Sequence, residues 1–533
     1  MRRREFLKAT TAATAAAMTA PYIHGALAEG RGDTLLTLSE SGPNNLDIMG
    51  VGTNRPGYEA SWNTHDRLIT FGSKPDANGV DHYDYTKLEP ELAEAWDLRD
   101  MSVSFTLRQG AKFHDGTPVT AHDVKWSFDR AITVGGFPTF QMKAGSLEKP
   151  EQFVAVDDRT FRIDFLRKDK LTMPDLAVPV PVVINSGLAK KHANDKDPWA
   201  LEWLKTNEAG SGAFKLEKWT PGQEVVYQRF DEWRSGSLPK LQRVIWRMVP
   251  SAGNRRALIE RGDADVSFDL PPKDVAEMAQ ETKVRVVGTP IENAIIYFDM
   301  NVKMPPFDNV KVRQAVAYAI PYQKIMDAVM FGRGEKMFGG PTGVTAADWP
   351  QPSPYTTDLA KAKQLLAEAG MPEGFETSLS FDLGFAVVQE PLCVLTQESL
   401  AQIGIKATLN KIPGANWRAE FSKKTLPLSA NAFGGWLNFP EYFFYWNYHG
   451  QNAIFNVASY QNPAMDKLIE AAKFEPDPAK YREECEGFIK MAFADVPRVP
   501  VFQPTLDVAM QKNISGYRYW FHRQLDYRQL AKA

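Results

Sequence analysis

Hydrophobic positions recur with a period of two in some stretches of this chain and with a helical period in others, the two kinds alternating from end to end. Ser102 to Arg108 sets Val103, Phe105 and Leu107 on one face with polar residues between them, the pattern of a half-buried strand, and Thr34 to Leu38 reads as a strand too. Thr120 to Ile132 places Val124, Phe128 and Ile132 on one helical stripe, with Thr120 as cap and Asp123 completing a capping box. Gly212 to Trp219 and Glu224 to Phe230 predict a hairpin joined by Thr220-Pro221-Gly222-Gln223, where Pro and Gly supply the turn dihedrals. Asn309 to Met330 predicts one long helix or a helical pair interrupted at Pro321. Asp358 to Ala369 predicts a short amphipathic helix stopped by Gly370 and Pro372. The mixture predicts α/β lobes.

Two loops break the pattern, Pro174 to Asn185 and Pro341 to Tyr355, the second with four prolines. Such stretches read as linkers between domains or as surface connections within one.

The N-terminus has a different character. Arg2, Arg3 and Arg4, then Phe6-Leu7-Lys8, an Ala/Thr run and the small-x-small end Ala26-Leu27-Ala28 form an export signal, with cleavage expected after Ala28. The Arg pair followed by Phe6, Leu7 and Lys8 looks like a twin-arginine signal, the kind that exports folded proteins. Ala9 to Ala20 is too short and too rich in Ala and Thr to span ~30 Å of hydrocarbon. The mature chain is expected to be soluble and to work in the periplasm.

Removing the signal leaves 58 basic and 64 acidic side chains, a net charge near -6. No basic stripe survives to hold nucleic acid or anionic lipid, so the expected partner is a small solute or a protein. Some five hundred residues are too many for one core and enough for two large lobes or three domains. Cys393 and Cys485 both fall in helix-like stretches. Two buried free thiols are the default reading, with a single bridge as the alternative.

Catalytic motifs are missing. The chain has no G-x-S-x-G, H-E-x-x-H or C-x-x-C pattern and no phosphate loop, and Gly332-Arg333-Gly334 lacks the third glycine of a dinucleotide fingerprint. No histidine pair at i, i+4 offers a zinc site, and no cofactor is implied. His114 and His122 flank a Gly-Pro turn and are expected to serve that turn or the surface. His449 differs, because its neighbours are aromatic and amide residues.

Four stretches together carry a family resemblance. They are Leu92-Ala93-Glu94-Ala95-Trp96 with Phe105 to Arg108 and Phe113 to Val124; Gly210 to Leu216 with Trp219 and Trp233; Asn301 with Pro306 to Ile320; and Asp358 to Gly370. They resemble the large family 5 extracellular solute-binding proteins of ABC importers, which include dipeptide, oligopeptide and nickel receptors. The resemblance implies a type II periplasmic clamshell of two α/β lobes with an extra α/β domain on the first lobe, closing on ligand by a hinge motion. By analogy the first lobe comprises residues 29 to 60, 205 to 295 and 503 to 533, the extra domain 61 to 204, and the second lobe 296 to 502. It also implies a monomeric receptor that delivers its solute to an inner-membrane permease and catalyses nothing.

The densest candidate for ligand contact is Gly434 to Gln451, in which eight of eighteen residues are aromatic. Trp436, Asn438, Tyr442, Trp446 and His449 combine flat apolar faces with polar edges, as a ligand wall does, although a buried aromatic core would look similar. In peptide receptors of this family an aspartate follows the Gly-Trp pair and binds the peptide's amino group. Here Leu437-Asn438-Phe439 follow, and Glu441 is the only acid nearby. A buried ammonium without a carboxylate costs several kcal/mol, so a free peptide N-terminus fits poorly unless Glu441 or another acid reaches it. Peptides remain the commonest ligand class of the family; an opine, a sugar-like solute, a modified peptide or a metal complex using His449 are the alternatives. On the first lobe, Ser41, Gly42 and Asn44 lie in the loop that faces the cleft in the family, and are candidates for hydrogen bonds to ligand, with an ordinary Asn-rich turn as the alternative.

Overall fold

The structure is a computed structural model that describes residues 32–76, 79–291, 294–336, 353–451 and 455–533. The export signal and most of the loop from Pro341 to Tyr355 lie outside them.

One sheet of twelve strands organises the chain. Its centre is a single long strand, Arg498–Met510. At its N-terminal end this strand runs antiparallel to Ala294–Met300, with Arg498 opposite Asp299 and Phe502 opposite Ile296; beyond lie Leu428–Gly434, Glu376–Asp382 and Lys406–Ile412. Its C-terminal end pairs with Arg285–Pro290, from Thr505 opposite Pro290 to Met510 opposite Arg285. There it also meets Val266–Ser267, followed outward by Thr34–Ser39, Arg243–Met248 and the hairpin Glu224–Arg229 and Phe214–Thr220. The two half-sheets therefore share one strand. Pro504 sits at the junction, where a missing N–H lets the ladder bend, and its carbonyl accepts from Ile291 N at 3.0 Å.

Local signals explain most elements. Val103, Phe105 and Leu107 are buried on the strand Ser102–Leu107, and Thr120 and Asp123 close the capping box of the helix Ala121–Thr133. The stretch at Pro321 resolves into two helices, Val310–Ala319 and Tyr322–Ala328, because proline at the break has no N–H to donate. Asp358 caps Leu359–Glu368, which ends at Gly370 with φ +80°.

Two expectations are corrected. The stretch after Pro174 is neither linker nor surface: Leu176, Ala177, Val178, Val180 and Val182 to Ile184 are all buried, because apolar side chains flank both of its later prolines. His114 does not serve the surface either. Its ring is held between Glu208 at 2.7 Å and the Gly212 carbonyl at 2.9 Å, and this carboxylate offsets burial and raises its pKa. His122 is exposed. Both cysteines are buried and unbridged.

Ala121–Thr133, Gly136–Ala144 and the four-stranded sheet of Ala93–Arg99, Ser102–Leu107, Thr160–Asp164 and Phe153–Ala155 form a further α/β layer. Its apolar core runs unbroken into the aromatic segment from Phe433 to Tyr448 and the helices Pro463–Phe474 and Pro478–Asp495. The second half-sheet has its own core, around Phe298, Val316, Leu366 and Phe381, and the first is packed around Leu35, Phe214, Trp246 and Val508.

Candidate functional site

The loop after the first strand is tied down by side chains from two helices. The Arg130 guanidinium grips both oxygens of Asp47 in a buried pair, fixing the loop to the helix Ala121–Thr133. Asn44 and Asn54 exchange side-chain and main-chain bonds, Asn44 N donating to Asn54 Oδ1 at 3.2 Å and Asn54 N to Asn44 Oδ1 at 2.9 Å. The same Asn54 oxygen caps the helix Arg55–Thr64 by accepting from Gly57 N. Ser41 is exposed, and its carbonyl accepts from Ser39 Oγ, while the Gly42 carbonyl accepts from Asn54 Nδ2 at 2.9 Å. These three residues thus shape a turn that fixes the start of the helix carrying Arg55 and Tyr58.

Opposite lies the aromatic segment. Strand Leu428–Gly434 ends in Gly434-Gly435, and both glycines are needed for close approach: a Cβ on Gly434 would collide with the Arg523 guanidinium, and one on Gly435 would sit 2.7 Å from the Tyr442 ring. Trp436 then packs edge-to-face on Tyr58, 5.2 Å between centroids, and on Phe137, 4.8 Å. The Tyr442 hydroxyl donates to Gln141 Oε1 at 2.7 Å, and Trp446 lies among Phe137, Phe140 and Phe455. Arg498 holds the far end of the helix Pro440–Asn447, bonding Asp299 at 2.8 Å and Asn447 while stacking 4.0 Å over Tyr297.

The acid and the histidine are engaged elsewhere. Glu441 accepts from Tyr481 Oη at 2.7 Å and lies 3.1 Å from Lys170 Nζ, which itself caps the Tyr481 ring at 3.4 Å. Burial raises the Glu441 pKa and Lys170 pulls it back. Its carboxylate therefore serves an ion pair between layers, so an ammonium in the cleft would have to displace Lys170. His449 Nε2 lies 3.1 Å from Glu470. Among the described residues no group of three His, Cys, Asp or Glu side chains is placed to hold a metal ion. Asn438 is buried just before the helix Pro440–Asn447.

The structure thus brings Trp436, Tyr442 and Trp446 together, with Glu441 and His449 pointing to other partners. It adds residues that sequence reasoning missed: Arg55, Tyr58, Phe137, Tyr519 and Arg523. Arg55 and Arg523 are both half-buried. Burial lowers the pKa of each; the ring charges of Tyr58 and Tyr519 oppose this at both, and the charge of Arg55 lowers Arg523 further. Arg523 Nε has no hydrogen-bond partner among the described residues, and Arg523 takes a left-handed φ of +62°. A groove of about 730 Å³ lies between the further layer and the helix Pro463–Phe474, and Glu441, Tyr442 and Tyr445 of the aromatic segment line it. Its Lys473 and Glu470 are matched by Asp169 and His449, so that groove offers no unmatched charge at those positions.

Two half-sheets that share one strand, with aromatic rings from different parts of the chain meeting at Trp436, are the architecture of the type II periplasmic binding proteins. The model of the bacterial extracellular solute-binding proteins, family 5, matches residues 87–455, and the chain belongs to that family. It is 28% identical over 530 residues, 97% of each chain, to the probable D,D-dipeptide-binding periplasmic protein DdpA of Escherichia coli K12. It is 30% identical over 485 residues to the glutathione-binding protein GsiB of Salmonella typhi, covering 88% of this chain and 91% of that one. Among solved structures, AgaA in complex with agropinic acid from A. tumefaciens R10 superposes with a TM-score of 0.78 at 25% identity, over 94% of this chain and 99% of that one. The function of the chain is that of a substrate receptor for an ABC importer.

Proposed function

We propose that this receptor captures a small polar organic solute, peptide-class first, in the periplasm and delivers it as a monomer to an inner-membrane ABC permease, after export by the twin-arginine route. The working division is a first lobe of residues 29–60, 205–295 and 503–533, an extra domain of 61–204, and a second lobe of 296–502. Its support is the shared strand, whose partner changes from Ala294–Met300 to Arg285–Pro290 between Phe502 and Thr505.

The observation that carries the reading is the Tyr58–Trp436–Phe137 contact. Rings from three separate segments meet at one tryptophan, and a solute held there is screened from water by both lobes, which strengthens each polar contact it makes. An opine is the second reading. It is favoured by the agropinic acid complex of AgaA and by the commitment of Glu441 to Lys170 and Tyr481.

Thermal shift with dipeptides, glutathione, opines and neutral oligosaccharides tests the proposal. A solute at a hundred times its Kd adds about 2.7 kcal/mol of stability. A melting temperature unmoved by every member of the panel refutes it.

A further inference from the structure

Among the described residues the buried arginines are matched, whereas Arg55, Arg518 and Arg523 are half-buried and hold no carboxylate. Arg67, Arg130, Arg498 and Arg528 each hold a carboxylate, and Arg255 holds three backbone carbonyls. Arg55 and Arg523 have neither an ion pair nor a side-chain hydrogen bond among the described residues, although Nε of Arg523 is fully shielded. Arg518 lies over the Trp520 ring, 5.6 Å from its centroid; shielding a charge with no partner costs free energy, so at Arg55 and Arg523 a counter-charge from a ligand would be favoured.

Their placement is built. Arg55 is the first residue of a ten-residue helix whose cap, Asn54, is locked by Asn44, and its charge adds to the positive end of that helix. Arg523 closes a tight turn in a left-handed conformation, its N bonded to the Trp520 carbonyl at 2.8 Å, a strain that its surroundings must hold in place. Its guanidinium lies against Gly434, where only a missing Cβ leaves room, two residues from Trp436. Tyr58, one turn on from Arg55 in the same helix, touches Trp436, so both arginines lie close to that tryptophan.

We propose that Arg55 and Arg523 together receive a carboxylate of the transported solute, making this an acid-selective receptor. The inference rests on the receptor reading and names its ligand chemistry. The charge of Arg55 is felt at Arg523, and a carboxylate set between two planar guanidinium forks can accept bonds from each. An ammonium at the same point meets two like charges and no acid. Selectivity is therefore the reverse of that of a site built around an aspartate.

The test pairs each acid with its neutral counterpart: Met-Leu, D-Ala-D-Ala, glutathione and agropinic acid against their carboxamides or esters, with maltotriose as a neutral control. Binding is read by calorimetry on the full mature chain. At least one acid should bind, and its neutral counterpart should bind roughly 10- to 150-fold more weakly, the size of a lost charged hydrogen bond. R523M and R55Q should each lose affinity for the acid and bind both forms alike, with R523K intermediate. R523M should melt no lower than the wild type without ligand, since it removes a buried repulsion. If R523M does not fold, R55Q and R523K carry the same comparison. Equal binding of acid and neutral forms by the wild type, or maltotriose binding that R523M leaves unchanged, overturns the carboxylate site and leaves the receptor reading standing. No binding by any member of the panel overturns both.

Discussion

Replacing Trp436 by alanine separates closure from folding. The ring is buried, and its two aromatic contacts, Tyr58 and Phe137, belong to the first strand's loop-and-helix unit and to the further α/β layer, not to its own strand. Each edge-to-face pair is worth about 0.5–1.5 kcal/mol beyond area burial, so W436A removes about 1–3 kcal/mol from the closed arrangement. That is roughly a 5- to 150-fold shift in the closure equilibrium, and it should appear as an equal rise in Kd for the first solute that binds the wild type. Y58A and F137A should each raise Kd roughly 2- to 13-fold, and the W436A/Y58A double variant should fall short of the product of the singles because they share one contact. Calorimetry for Kd and thermal melting without ligand are the two assays. The reasoning fails if W436A leaves Kd unchanged while lowering global stability by the ~3–5 kcal/mol typical of a Trp→Ala core cavity. It fails equally if the Tyr58 and Trp436 effects multiply as independent sites.

Three further outcomes follow from buried groups. Burial pushes Glu59 up to about 7 from 4.5, so the folded chain holds a proton the unfolded chain has released, and this stabilisation, complete below about pH 4.5, is lost as pH rises through about 7; E59Q should flatten that slope and gain up to about 3 kcal/mol over the wild type between pH 5 and 8 in urea titrations. K170M strands the Glu441 carboxylate and should cost about 3–5 kcal/mol, most of it recovered in K170M/E441Q, as read by melting of single and double variants. Cys393 and Cys485 are buried, and burial raises both thiols, so a thiol reagent should label neither in the native protein and both in guanidinium.

What sequence could reveal was local. Val103, Phe105 and Leu107 announce their strand, and Thr120 with Asp123 announces its helix, because the side chains that decide each element lie within a few residues of one another. The aromatic segment was visible as composition, yet sequence left open whether it was wall or core. The structure packs Trp436, Tyr442 and Trp446 against rings from a different part of the chain. Glu441 looked like a free acid because its partner, Lys170, is far away in sequence. Arg55 and Arg523 carried no signal, since neither sits in a motif and only the return of the C-terminal segment to the first strand's side brings them together. Asn44 did carry one, an Asn-rich turn. It bonds the helix cap Asn54.

The long strand Arg498–Met510 also sets the order in which the molecule is completed. The half-sheet that begins at Thr34 lacks the partner of Val266–Ser267 until Ala509 and Met510 exist, and Glu59 and Asn63 take their bonds from Leu525 and Tyr527. At roughly 5–20 residues per second, a ribosome needs tens of seconds between Val266 and Met510. The strands from Ala294 onward pair among themselves earlier, except that Ala294–Met300 lacks one neighbour and Gly334–Lys336 its partner until the first half of Arg498–Met510 exists. The part of the chain made first is therefore finished last, and a nascent chain stopped short of Arg498 holds no complete half of the molecule.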